Sequence, residues 1–343
     1  TATGLFGALT GNVTGNVTGS ISGGTVSGST LTGTLQTAAQ ANVTSLGTLT
    51  GLTVSADATI NGLTFGKGAN SGSQNIAIGD NALDANTTGG RNTAIGSNAL
   101  TDCTTGQNNV CVGSNAGENI TTSENNVAVG HDAMEENTTG DNNIAIGTRA
   151  LEENTTASNN TAVGYEALTD NTTGSNNVAI GAHALDANTT AGSCVAIGKD
   201  AAGANTIGSQ ITAVGSEALE SNTTGNYNVA VGSQALQLNT TGGNNVAMGL
   251  QALEQNTTAS NNTGSYNISF GKEAGLCNTS GACNIFAGFE VAYQTTTAND
   301  NIYMGRGAAK CRQSGNYNIA FGLNALKGSS TPSNNTGGCN IFI

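Results

Sequence analysis

The chain has 343 residues, of which 4% are aromatic and 9% charged, with no Trp, 50 Gly and a single Pro. It is too poor in large apolar groups for deep globular cores and too poor in charge and Pro for a disordered segment, so a thin, repeat-stabilised structure is expected. Nine Lys and Arg within a net charge of −13 exclude the basic footprint of a nucleic-acid binder or an anionic-membrane anchor.

Residues 1–70 have their own texture, as in "GNVTGNVTGSISGGTVSGSTLTGTL", where Gly, Thr and Val alternate with almost no charge. This segment reads as a slender β-rich shaft or connector. Its start, "TATGLFGALTGNVTG", has neither the basic nor the apolar region of a signal peptide, and no run approaches the ~20 apolar residues that span a bilayer. The missing initiator Met, and an end at "NIFI" one residue short of the next expected Gly, point to a processed chain or a fragment.

From 71 to 343 the chain repeats. A Gly closes each "NNVAIG"-like stretch at Gly79, Gly96, Gly113 and onward to Gly249, always 17 residues apart. One step then lengthens to 22 around "SNNTG", the 17-residue spacing resumes from Gly271 to Gly322, and a second lengthened step around "TPSNNTGG" leads to the end. A fixed period of this size means stacked units. Before each Gly the chain alternates, as in Ile76-Ala77-Ile78, which marks a strand. Seventeen residues have no room for a helix, so the rest of each coil is expected to be a second short strand and two corners. The predicted fold is all-β, a parallel β-roll or β-solenoid of 17-residue coils, intertwined or packed with a partner chain. Its coils are regular to about 256 and richer in aromatics from about 257.

The Ile/Val pairs and the Leu that follows the Ala at Ala82, Ala99 and their counterparts are expected inside the roll. The Ala and Gly between them are expected on the opposite, small-residue face, which suits close approach by a partner chain. In the corner, "NTT" recurs at Asn86, Asn137, Asn154 and five further sites. Stacked rungs ~4.8 Å apart would let Asn amides and Thr hydroxyls hydrogen-bond to their counterparts. The same triplet is a glycan acceptor in a secreted chain. Carboxylates gather beside it, among them Glu135, Glu136, Glu152 and Asp186, and form a solvated or weakly cation-binding edge.

Nine of the 13 Phe and Tyr lie from Tyr266 onward, and Phe286 and Tyr303 fall in the column otherwise held by Ala. Packing is the expected role, a sugar-contacting surface the alternative. Seven cysteines form neither a disulfide framework nor a zinc pattern. Cys103 and Cys111 read as small-residue replacements, and Cys277 with Cys283 is the one local pair to test for a bond. His131 and His183 fall in different columns, and the Ser and Thr residues lack a base. No catalytic, cofactor-binding or metal residue is therefore assigned, no cofactor is expected, and the chain does not read as an enzyme.

The units "NNVAVGHDAMEENTTGDNNIAIG" and "SNNTAVGYEALTDNTTGSNNVAIG" resemble the head repeats of trimeric autotransporter adhesins, which build left-handed parallel β-rolls assembled as trimers. The 17-residue unit is longer at "NTTG" than is usual there. That length and the leader "GNVTGNVTGS" look more like tail-fibre and other structural proteins of marine phages, particularly cyanophages. The resemblance implies a homotrimeric virion appendage or tail fibre that carries a host-attachment tip, on the virion surface or extracellular. Other virion proteins at the chain ends and host-surface glycans are the implied partners, with no nucleic acid and no membrane insertion. A bacterial trimeric surface adhesin or extracellular filament subunit is the alternative, and an ice- or glycan-binding solenoid the third reading.

Overall fold

A computed structural model of the chain describes residues 58–60, 63–66, 74–254, 264–328 and 337–343. The connector before residue 58 and most of the two insertions lie outside the described residues. Each coil ends in a three-residue strand, beginning with β3 (Ile76–Ile78) and β4 (Thr93–Ile95) and running through β9 (Val178–Ile180), β14 (Ile268–Phe270) and β17 (Ile319–Phe321) to the two-residue β18 (Ile341–Phe342). These sixteen strands stack in parallel, with Ile76 on Thr93, Ala77 on Ala94 and Ile78 on Ile95. The result is an all-β solenoid of about 14 turns at 17 residues per coil. Register survives both long steps, because Val246 pairs with Ile268 and Ile319 with Ile341. At the other end, β1 (Ala58–Ile60) and β2 (Leu63–Gly66) form an antiparallel hairpin, and Phe65 of that hairpin pairs with Ile78. The hairpin lies within the expected connector and covers the strand edge of the first coil.

The described coils contain no second strand, contrary to the expectation. With the closing Gly as position 0, positions 2, 4 and 12 of the coil adopt positive φ, as at Arg149 (+58°), Leu151 (+55°) and Asn159 (+63°). Left-handed residues at positions 2 and 4 curl the backbone too tightly for a pleated strand. Coil-to-coil hydrogen bonding continues nonetheless: the Leu151 amide donates to Ala167 O (3.0 Å) and Glu153 to Thr169 O (3.0 Å). The chain is therefore laddered around much of the coil although only one side is strand.

The assignment of faces is reversed. Ala94, Ala128, Ala145 and Ala162, the middle residues of their strands, are fully buried, and the flanking Ile and Val point outward and are part-exposed, 41% at Ile146. The lumen holds the strand Ala, the Ala and Leu of positions 3 and 4 and a buried Asn on either side, which leaves no room for two more branched side chains. The Gly of position 0 is small because of the next coil of the same chain, not because of a partner. A Cβ on Gly164 would stand 2.5 Å from Gly181 O, and its φ of +140° is one that side chains rarely adopt.

Two buried Asn columns run through the stack. At position 13, the Asn109 amide donates to Asn92 Oδ1 (2.9 Å) while its Nδ2 donates to Ser123 O (2.8 Å). At position 7, Asn171 Nδ2 donates to Asn154 Oδ1 (2.9 Å) and Gly174 O (3.0 Å). Each amide thus satisfies backbone groups that the tight corner cannot pair with one another. Among the described residues the columns are interrupted at Cys103, Ile120, Thr295 and Arg312 (position 7) and at Cys194 and Ile211 (position 13), in different coils, so one column persists where the other fails. The thiol of Cys194 takes over the amide's donor role toward Gly208 O at 3.4 Å.

Core volume is conserved by exchange between positions 15 and 4. Where position 15 is large, position 4 is small: Cys111 lies beside Gly117, Phe286 beside Gly275, and the Tyr303 level is flanked by Ala292 and Ala309. A Cβ on Gly275 would meet the Phe286 ring at 2.6 Å. Phe286 and Tyr303 are fully buried and stacked, with ring centroids 5.8 Å apart and planes 12° from parallel. Both aromatics therefore pack, and the space they take is that of the missing Leu.

Candidate functional site

Outward Ile and Val at positions 14 and 16 make a double apolar file along the whole parallel sheet, interrupted at position 14 by Thr93, Thr161 and Thr212. Sixteen strands at ~4.8 Å give it a length of roughly 70 Å. Exposure reaches 41% at Ile146, 39% at Ile180 and 44% at Phe270. A contiguous apolar strip of this extent exceeds what singly scattered surface residues produce.

The polar edge is built by positions 2, 5 and 6, where side chains of successive coils stand one coil apart. Arg149 pairs with Glu152 (2.7 Å) and with Glu166. His131 contacts Asp132 (2.6 Å), while His183 contacts Glu166 (3.3 Å) and meets the Tyr165 ring edge-on at 5.3 Å. The two histidines thus serve separate neighbourhoods. Asp132, Glu135 and Glu152 bring carboxylate oxygens within 4.8 Å of one another, the one such group among the described residues. Burial and the facing carboxylates Asp132, Glu118, Glu136 and Glu152 raise the Glu135 carboxyl above its ordinary range. Further along, Gly203 stands where other coils carry a polar side chain, and a cleft of about 360 Å³ opens between His183, Asp186, Asp200 and Glu220.

In the Asn-Thr-Thr corner, the Asn is buried, the first Thr half-buried and the second exposed. The Asn amides do stack as expected, whereas each first Thr hydroxyl donates to the backbone carbonyl of its counterpart, as from Thr172 to Thr189 O at 3.0 Å. With Nδ2 inside the coil and hydrogen-bonded, this Asn presents no acceptor for a glycan once the coil has closed. The outward residue is a single file of Thr, broken by Ile207.

Beyond Gly271 the same edge changes sign. Between residues 74 and 254 the chain has three Lys and Arg against 18 Asp and Glu; between 272 and 328 it has five against three, of which Arg312 is buried at position 7 and the other four cations are on the surface. Lys272 and Arg306 lie 5.8 and 5.6 Å from the Phe289 ring centroid, and Lys310 lies 5.6 Å from that of Tyr293. Lys310 also pairs with Glu290 at 2.5 Å. Gly307 replaces the position-2 side chain here, and a second cleft of about 360 Å³ opens between Arg306, Lys310, Lys327 and Asn324. Whole-chain charge hides this cluster; its signal in the sequence is position, since five of the nine Lys and Arg fall between 272 and 327.

No disulfide joins any of the seven cysteines, the Cys277 and Cys283 pair included. Burial pushes the Cys103 thiol up to about 11 and raises those of Cys111 and Cys194, so these act as packing groups rather than nucleophiles. Among the described residues no helix is long and apolar enough to cross a membrane. Comparison with protein-family models, with characterised proteins and with solved structures yields no match.

Proposed function

We propose that this chain is the shaft of a homotrimeric virion appendage, a tail fibre or similar spike, that holds a host-attachment tip away from the particle. The observation that carries this reading is the outward Ile/Val file. It is in register with the stack, and of the order of 700 Å² if roughly 10 Å wide, close to what one partner contributes to a standard interface. Three such chains joined along it would bury the file about a common axis and leave the polar edges in water. The contact face is thus the Ile/Val face and not the Ala/Gly face that the sequence pattern suggests.

The test is the solution mass of the purified chain by sedimentation equilibrium, expected at three times 33.8 kDa. Val178→Lys with Ile180→Lys, both on the outer face of β9, is expected to give a folded chain of lower mass. A monomeric parent would overturn the trimer. Antibody labelling of intact particles against bacterial surfaces decides between a virion fibre and a cell-surface adhesin.

A further inference from the structure

We infer that the C-terminal coils carry a binding cleft for an acidic saccharide, lined by Arg306, Lys310, Lys327, Asn324 and Leu323, with Glu290 at its edge neutralised by Lys310 and with the Phe289 and Tyr293 rings beneath Arg306 and Lys310. Three independent observations converge. The first is the charge reversal: the stretch of this acidic chain with a cationic surplus is also the one in which cations stand over aromatic rings on the polar edge. The second is shape. Gly307 removes a side chain from the edge, and a Cβ there would already stand 2.6 Å from Asn324 Oδ1, so the opening depends on the glycine. The third is unspent charge. Lys310 is matched by Glu290, but Arg306 and Lys327 have no carboxylate partner among the described residues.

The chemistry of the lining selects the ligand class. A guanidinium and an ammonium that converge on a small opening suit one carboxylate or sulfate, with the Arg able to bind it bidentately. Leu323 offers an apolar wall for the C–H side of a pyranose, Asn324 offers an amide for its hydroxyls, and the Phe289 and Tyr293 rings lie against the Arg306 and Lys310 cations. About 360 Å³ admits one or two sugar rings, at the lower end of the range for small-molecule sites. A nucleic acid would require a longer basic track than three cations on a chain of net charge −13.

The inference rests on the reading of the chain as a surface appendage, and the experiment separates the two. The full chain is titrated calorimetrically at low salt with a heparin hexasaccharide (sulfate), an alginate hexasaccharide (carboxylate) and a neutral dextran. Binding to at least one acidic probe, not to dextran, and weakening as salt is added is the expected result. Arg306→Ser with Lys327→Ser, both exposed side chains, is expected to lower affinity at least about tenfold, and Lys199→Ser on the acidic edge to leave it unchanged. No binding to either acidic probe overturns the cleft, as does equal loss in the two variants. Loss of low-salt self-association in the double variant, without any saccharide binding, also overturns it and assigns the patch to the acidic coils of a second copy. Sedimentation of the same samples reads the trimer separately: a trimer that binds no acidic probe removes the cleft alone, and a monomer that binds one removes the shaft alone.

Discussion

Coils from 74 to 254 and coils from 264 to 343 share one backbone path and one set of ladders, yet differ in almost everything attached to them. The first group is the more uniform: position 4 is Leu except at Gly117, Met134 and Ala202, position 15 is Ala except at Cys111, and carboxylates run along the edge. The second exchanges Leu for Gly or Ala, fills the lumen with Phe286 and Tyr303, and turns the edge cationic. A stack whose backbone hydrogen bonds and closing glycines hold the register can evidently be redecorated, provided that core volume is kept and at least one Asn column stays intact.

The largest effect is expected at the closing glycines. Gly164→Ala meets both the carbonyl of the next coil and a forbidden φ, and should cost more than about 4 kcal/mol, seen as loss of the cooperative β-signal on heating. Gly322→Ala is the control from the other region, since nothing lies within 4 Å of its Cβ; only the strain of φ +120° remains, about 1–3 kcal/mol. Similar costs at both sites would break the account of the glycine as a contact between coils.

Phe286→Ala should cost about 3–5 kcal/mol by opening a cavity. Adding Gly275→Leu, which restores the pattern of the regular coils at a position already at φ +65°, should recover most of that loss in a denaturant titration. Failure of the second substitution to rescue the first would show that the two regions do not share one core volume. Asn143→Ala removes the acceptor of the Asn160 amide (2.9 Å) and the donor to Ala157 O (2.9 Å), for about 2–4 kcal/mol. The signature is faster hydrogen exchange at Asn160 while distant coils keep their protection.

The smallest effect is pH. Glu118 and Glu135 are raised above the ordinary carboxyl range by partial burial and by facing carboxylates. A carboxyl raised on folding takes up its proton more readily folded than unfolded, so its penalty is full above the folded value and fades as pH falls toward the unfolded one. Acidification from neutrality toward the ordinary carboxyl range, or added salt, should therefore slow exchange modestly in the coils around Glu118 and Glu135. The coils around Lys310 should not respond in the same way. A uniform response would blur the contrast between the regions.

Much of the architecture is legible in the sequence by itself. The 17-residue spacing of Gly, the Ile-Ala-Ile alternation and the repeated corner determine a parallel stack of coils, because only stacking brings identical residues into contact at a fixed interval. The Asn before most strands also signals the position-13 Asn column, though the residue code alone does not say that it is buried. The tertiary structure decided which face of the strand is inside. Period two states that the two faces differ and is silent on which one the chain encloses; the rule that large apolar groups go inward points the wrong way here. Closure of a coil with left-handed residues at positions 2 and 4 sets a lumen that one Leu, two Ala and two Asn already fill, so the Ile and Val are driven out. The same closure explains the absent second strand, the exchange of Leu for Phe or Tyr, and the clefts that appear wherever a Gly interrupts the polar edge: each depends on the width of the coil, which no single residue specifies.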